Sequence, residues 1–136
     1  MSQGNVEVVR AAFAAWNAGE LLDVLSLFHA QVVYHPRADE PDPSPHIGRD
    51  AYERLVSGFV DSFSEIVFEV RELIDAGDHV IASTVLHAVL RGQGSASGAG
   101  VSDTYVFVYK VRDGLTVEGW EYRTKQEALE AVGLSE

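Results

Sequence analysis

The chain has 136 residues, 46% hydrophobic and 23% charged, the size and balance of one soluble folded unit with a real core. Ten basic against twenty-one acidic residues give a net charge of −11, which excludes partners that require a basic patch, namely nucleic acid and anionic membrane surfaces. Without cysteine there are no disulfides or thiolate metal sites, and no apolar run has the make-up of a signal peptide or the length of a membrane span, so a cytoplasmic protein is expected.

Residues 6–18 read as an amphipathic helix. Val6, Val9, Phe13 and Trp16 recur at spacings of three and four, alanines raise the propensity, Asn5 suits an N-cap and Gly19 a stop. A short second helix over 20–28 carries Leu21, Leu22, Leu25 and Phe28. Residues 31–35 (QVVYH) are β-branched and aromatic, and Pro36 closes them as a strand. The loop PRADEPDPSPHIG then holds all four prolines and three acids. A loop of that length in a compact fold is usually functional or disordered.

Asp50 and Glu53 have capping-box spacing, and Tyr52, Val56, Phe59 and Phe63 line one face of a third helix. Residues 66–75 form a strand with Ile66, Phe68, Val70 and Ile74 on one side. Gly77 and Asp78 turn the chain into a long strand over 79–91. Its even positions are the cleaner apolar face, while His87 lies on the odd one. Residues 92–100 (GQGSASGAG) read as a flexible link.

The stretch 101–123 is the most informative. At a period of two, Val101, Asp103, Tyr105, Phe107, Tyr109 and Val111 share one face, with Val106 and Val108 on the other. Asp113-Gly114 signals a tight hairpin, after which Thr116, Glu118, Trp120 and Tyr122 share a face of the returning strand. Residues 125–132 form a last short helix, stopped by Gly133. Three helices with one early strand, followed by long antiparallel strands, make an α+β layout without internal repeats or a domain boundary.

This order resembles the nuclear transport factor 2-like superfamily, and within it the SnoaL-like polyketide cyclases and the ketosteroid isomerases. The resemblance rests on WNAGE ending the first helix, VVYHP, IGRDAY, GDHV, VYKVRDGLTVEGWEY and the tail EALEAVGL, and it covers nearly the whole chain as one SnoaL-like domain over 1–136. It implies a cystatin-like α+β barrel: a cone-shaped, curved antiparallel sheet wrapped around three N-terminal helices, with a pocket at the wide end and frequent dimers. It does not imply one activity.

Carried over by position, the isomerases' general base falls on His35 before Pro36. Their oxyanion-hole tyrosine falls near Ala11 and their protonated aspartic acid near Phe107, where neither group exists. The cyclases' strand aspartate is best matched by Asp103, with His35 or His87 as its histidine. The Asp-Arg-Asp set of limonene-epoxide-hydrolase relatives has no evident counterpart around Asp103 on the inner face.

The residues themselves add a physical reason. A carboxylate on an apolar wall resists ionisation, and an imidazole titrates near neutrality, so Asp103 and His35 are the candidate catalytic pair. Trp16, Tyr52, His87, Tyr105, Trp120 and Tyr122 are the candidate substrate-binding residues, aromatic walls being suited to flat apolar ligands. His35, Asp39, Asp42 and His46 share a segment, but their spacing matches no metal-ligand pattern, so no metal and no cofactor are expected.

Two functions stay open. One is an isomerase- or cyclase-type enzyme using acid/base chemistry on a mostly apolar polyketide- or steroid-like molecule. The other is a non-catalytic ligand-binding or assembly module of the same fold. A homodimer is expected through the sheet, because Val106 and Val108 would otherwise lie exposed.

Overall fold

A computed structural model describes residues 2–90 and 100–134. The elements run in the order α1 (Ser2–Asn17), α2 (Leu21–Ser26), β1 (Phe28–His35), β2 (His46–Ile47), α3 (Arg49–Ser62), β3 (Phe63–Ala76), β4 (His79–Leu90), β5 (Gly100–Arg112), β6 (Leu115–Tyr122) and α4 (Lys125–Ala131). The expected link over 92–100 lies, but for Gly100, outside the described residues. No helix is long and apolar enough to cross a membrane among the described residues.

The six strands form one open sheet in the order β2-β1-β6-β5-β4-β3. The fold is the expected α+β arrangement of sheet and N-terminal helices, with one change. The sheet is mixed, because β1 pairs with β6 in parallel while every other pair is antiparallel. Bulges interrupt β3 near Arg71 and the β5–β6 pair near Val111, and such insertions bend a sheet and reverse which side chains face inward.

Helices α1 and α3 pack on the inner face. Val9 and Phe13 of α1 and Tyr52 and Val56 of α3 are buried against Val32, Val80, Ala82 and Phe107. Trp16 and Phe59 are only partly buried at the edge of this core. The Asn17 side-chain amide donates to the Phe68 carbonyl and accepts from the Phe68 N–H, both at 2.9 Å, tying the end of α1 to β3 as a short extra strand would.

Local details differ from the sequence reading where tertiary partners intervene. Asn5 lies inside α1, its amide donating to the Gly77 carbonyl. Gly48, at φ 93°, takes the N-cap of α3 in place of Asp50, and the capping box forms instead at α4 between Thr124 and Glu127. The hairpin turn is as expected, with Asp113 and Gly114 both at positive φ.

On the outer face α4 lays Ala128 and Leu129 over Ile81, Val106 and Val108. The two valines that suggested a subunit contact are each about 1% exposed within the chain itself. The reason given for a dimer through these residues therefore lapses.

Candidate functional site

Two rows of residues cross the sheet side by side, and they face opposite ways. The inner row runs Tyr34 (β1), Gly119 (β6), Tyr109 (β5) and Val80 (β4); the outer row runs His35, Trp120, Val108 and Ile81. Gly119 sits where the two tyrosine rings close over β6. A Cβ there would lie 2.9 Å from Tyr34 Cδ1 and 3.3 Å from Tyr109 Cδ1. Gly119→Ala is expected to destabilise the fold by roughly 1–3 kcal/mol through overpacking, measured by urea denaturation. A variant as stable as the parent would show that the rings yield freely.

Two residues beyond Gly119, on the same face, is Glu121. Its Oε2 accepts the Tyr34 hydroxyl and its Oε1 accepts the Arg37 backbone N–H at 3.3 Å. Burial pushes the Glu121 carboxyl up to about 7. The Tyr34 and Arg37 hydrogen bonds and the Arg37 charge oppose that rise, and the charge of Glu40 adds to it. Tyr34 is held well above the ordinary tyrosine range by its burial and then by Glu121, and Tyr109 by burial foremost, so both stay protonated.

Glu121 borders a cavity of about 140 Å³. Helix α1 supplies Phe13 and Trp16 to its wall, α3 supplies Tyr52 and Phe59, and β5 supplies Tyr105, Phe107 and Tyr109. Glu40, on the loop after β1, is the other carboxylate in the lining, and among the described residues no lysine, arginine or histidine joins them.

That loop is anchored by Arg37, whose side chain is only 10% exposed. The guanidinium forks onto Asp39 through Nε at 3.0 Å and Nη2 at 3.1 Å. Its Nη1 donates to Asp103 Oδ2 at 3.2 Å and to the Thr104 carbonyl at 3.1 Å, and its central carbon lies 4.4 Å from the Tyr105 ring centre. Asp103 therefore does have an arginine and a second aspartate beside it, supplied by the proline loop, a pairing that linear order concealed.

The catalytic pair expected from sequence is not brought together. Asp103 has inner-face parity but lies at the solvent end of β5, its side chain 46% exposed and outside the cavity lining. His35 points to the outer face, where its Nε2 lies 2.7 Å from Glu118 Oε2 and its ring stacks on Trp120 at 5.3 Å. Alternation alone requires this, since Tyr34 takes the inner side.

Of the expected binding residues, Trp16, Tyr52 and Tyr105 line the cavity. His87 is on the outer face with Glu69 at 3.0 Å and Ser102 at 3.3 Å. Trp120 and Tyr122 pack in the cluster under α4. The last two were misplaced because Thr116 pairs with Val111 and Glu118 with Lys110, so an extra residue reverses the parity of β6. The same reversal turns Glu121 inward, and the only sequence signal for it was a carboxylate among aromatics in WEY.

Among curated proteins no sequence matches this chain. Solved structures do match in fold. Bal32a, from a soil-derived mobile gene cassette, superposes with a TM-score of 0.76 at 20% identity, covering 88% of each chain. A proposed polyketide cyclase from Xanthomonas campestris pv. campestris gives 0.73 at 24% identity over 96% of this chain and 98% of its own. AclR, a proposed hydroxylase from Streptomyces galilaeus, gives 0.71 at 21% identity over 98% and 97%. The profile of the SnoaL-like domain matches residues 9–119, across α1, α3 and the whole sheet to the row that holds Gly119. The chain belongs to the SnoaL-like domain family.

Proposed function

We propose that this protein is a cofactor-independent enzyme that moves protons on a small, mostly apolar molecule of polyketide- or steroid-like chemistry, with Glu121 as the acid/base group. The observation that carries the reading is a carboxyl in the lining of an aromatic cavity, hydrogen-bonded on both oxygens, and its burial pushes it up to about 7. A group titrating near pH 7 can take a proton from carbon and return it within one turnover. Tyr34 and the Arg37 N–H orient the carboxylate, while Tyr52 and Tyr109 are the hydroxyls available to an enolate oxygen. The binding-module alternative requires ionisable groups that turn away from the cavity. His35 does so, but Glu121 does not.

The test is deuterium exchange at carbon. Small enolisable cyclic ketones are incubated in D₂O with the protein, and loss of the α-proton signal is followed by NMR. Exchange faster than buffer, with an apparent pKa near 7, supports the reading. Ketones that bind without any acceleration would favour a binding module.

A further inference from the structure

The Glu121 cavity has a neighbour. A second, mostly apolar space of about 200 Å³ lies between the C-terminal ends of α1 and α3 and the start of β3, lined by Leu21, Val60, Phe63 and Ile66 among others. Trp16 borders both spaces. Among the described residues it is the one side chain that lines the two of them, its ring centre 6.2 Å from that of Phe59 and 5.6 Å from that of Phe68. Phe59 in turn contacts Phe63 of the second space at 5.1 Å.

Volume decides what this partition does. A cavity on the order of 150 Å³ takes one benzene-sized ring, whereas pockets for drug-sized ligands run to roughly 300–1,000 Å³. At about 140 Å³ the space beside Glu121 is a one-ring site, and only with the second space does it approach the larger class. The indole is partly exposed and rooted one residue from the end of α1, so turning it gives up ring contacts with Phe59 and Phe68 at the edge of the core rather than a fully buried position.

We propose that Trp16 is the size-determining residue of the site: in place, it restricts the Glu121 cavity to a single-ring ligand, and removing or turning it joins the two apolar spaces and admits a fused-ring one. This rests on the reading of the cavity as a ligand site, but not on Glu121 chemistry. The reacting ring of any larger substrate sits beside Glu121, and the remaining rings run past residue 16 toward Val60 and Ile66.

The experiment is calorimetric titration of the full chain with 4-methylphenol (one ring) and 2-naphthol (two fused rings). The parent is expected to bind 2-naphthol no more tightly than 4-methylphenol, although the naphthol has more apolar surface to bury. In Trp16→Ala the Kd for 2-naphthol should fall at least tenfold, with that for 4-methylphenol changing less than threefold. Trp16→Leu, gentler to the fold, should move the same way, and adding Val60→Phe to Trp16→Ala should restore exclusion by refilling the second space. The proposal is overturned if 2-naphthol already binds the parent more tightly than 4-methylphenol, if both Trp16 variants keep the parent's ratio, or if neither ligand binds any of these proteins. Glu121→Gln separates the two readings: if the ketone exchange test fails but the size profile holds, the partition survives without the acid/base assignment.

Discussion

Glu121→Gln is expected to lower turnover roughly 10²–10⁴-fold, the usual loss when one acid/base group is removed, and at the same time to make the protein more stable above neutral pH. The stability change follows from linkage. A glutamate near 4.5 in the unfolded chain is raised to about 7 by burial in the folded one. Below pH 4.5 both states keep the proton and there is no penalty. Between 4.5 and 7 the unfolded chain releases its proton first, so stability falls as pH rises, and above 7 the full penalty is present.

That penalty is on the order of 3 kcal/mol for a shift of this size. The glutamine variant avoids it, but places an amide where Arg37 N–H and Tyr34 O–H both donate, so the net gain should be about 1–3 kcal/mol. Urea denaturation of both proteins at pH 4 and pH 8 measures it. The curves should nearly coincide at pH 4 and separate at pH 8 with the variant more stable. A variant less stable at pH 8 would mean that Glu121 is ionised and fully compensated by its partners.

Arg37→Met is expected to cost roughly 2–4 kcal/mol, the largest single stability loss among these changes. The substitution leaves the Thr104 carbonyl without the Arg37 donor, uncovers the Tyr105 ring, deprives Asp103 of its cation and leaves Asp39 with only Arg123 at 3.8 Å. The figure stays below the top of the range for broken buried pairs because the two aspartates are 40% and 46% exposed and water screens them. A second effect should reach Glu121. The Arg37 charge and its backbone N–H both favour the carboxylate, so loosening this loop should raise the midpoint of Glu121, read from its side-chain carboxyl carbon by NMR. A loss below about 1 kcal/mol with an unmoved midpoint would reduce Arg37 to a surface ion pair.

Much of the fold follows from local pattern. The apolar periodicity of α1 and α3, the alternation along β4 and β5, and the Asp113-Gly114 turn are each set by a few neighbouring residues, and the elements form where those patterns place them. The aromatic lining from Trp16, Tyr52 and Tyr105 was legible for the same reason, since a helix or an unbroken strand keeps its facing along its length.

What sequence did not contain is everything that depends on partners distant in the chain. The parallel pairing of β1 with β6 joins residues more than eighty positions apart, and it sets Tyr34 beside Gly119 and His35 beside Trp120. The β6 bulge arises only because β5 and β6 pair out of step, and that single extra residue exchanges Trp120 for Glu121 on the inner face. The proline loop delivers Arg37 to Asp103 across sixty-six residues. Alternation fixes facing only relative to a strand's own neighbours, so one residue of slippage in β6 turned Glu121 inward, while His35 faces outward beside Tyr34 and Asp103 lies at the exposed end of β5. The chain by itself determined its elements and its fold class; tertiary pairing decided which carboxylate enters the cavity.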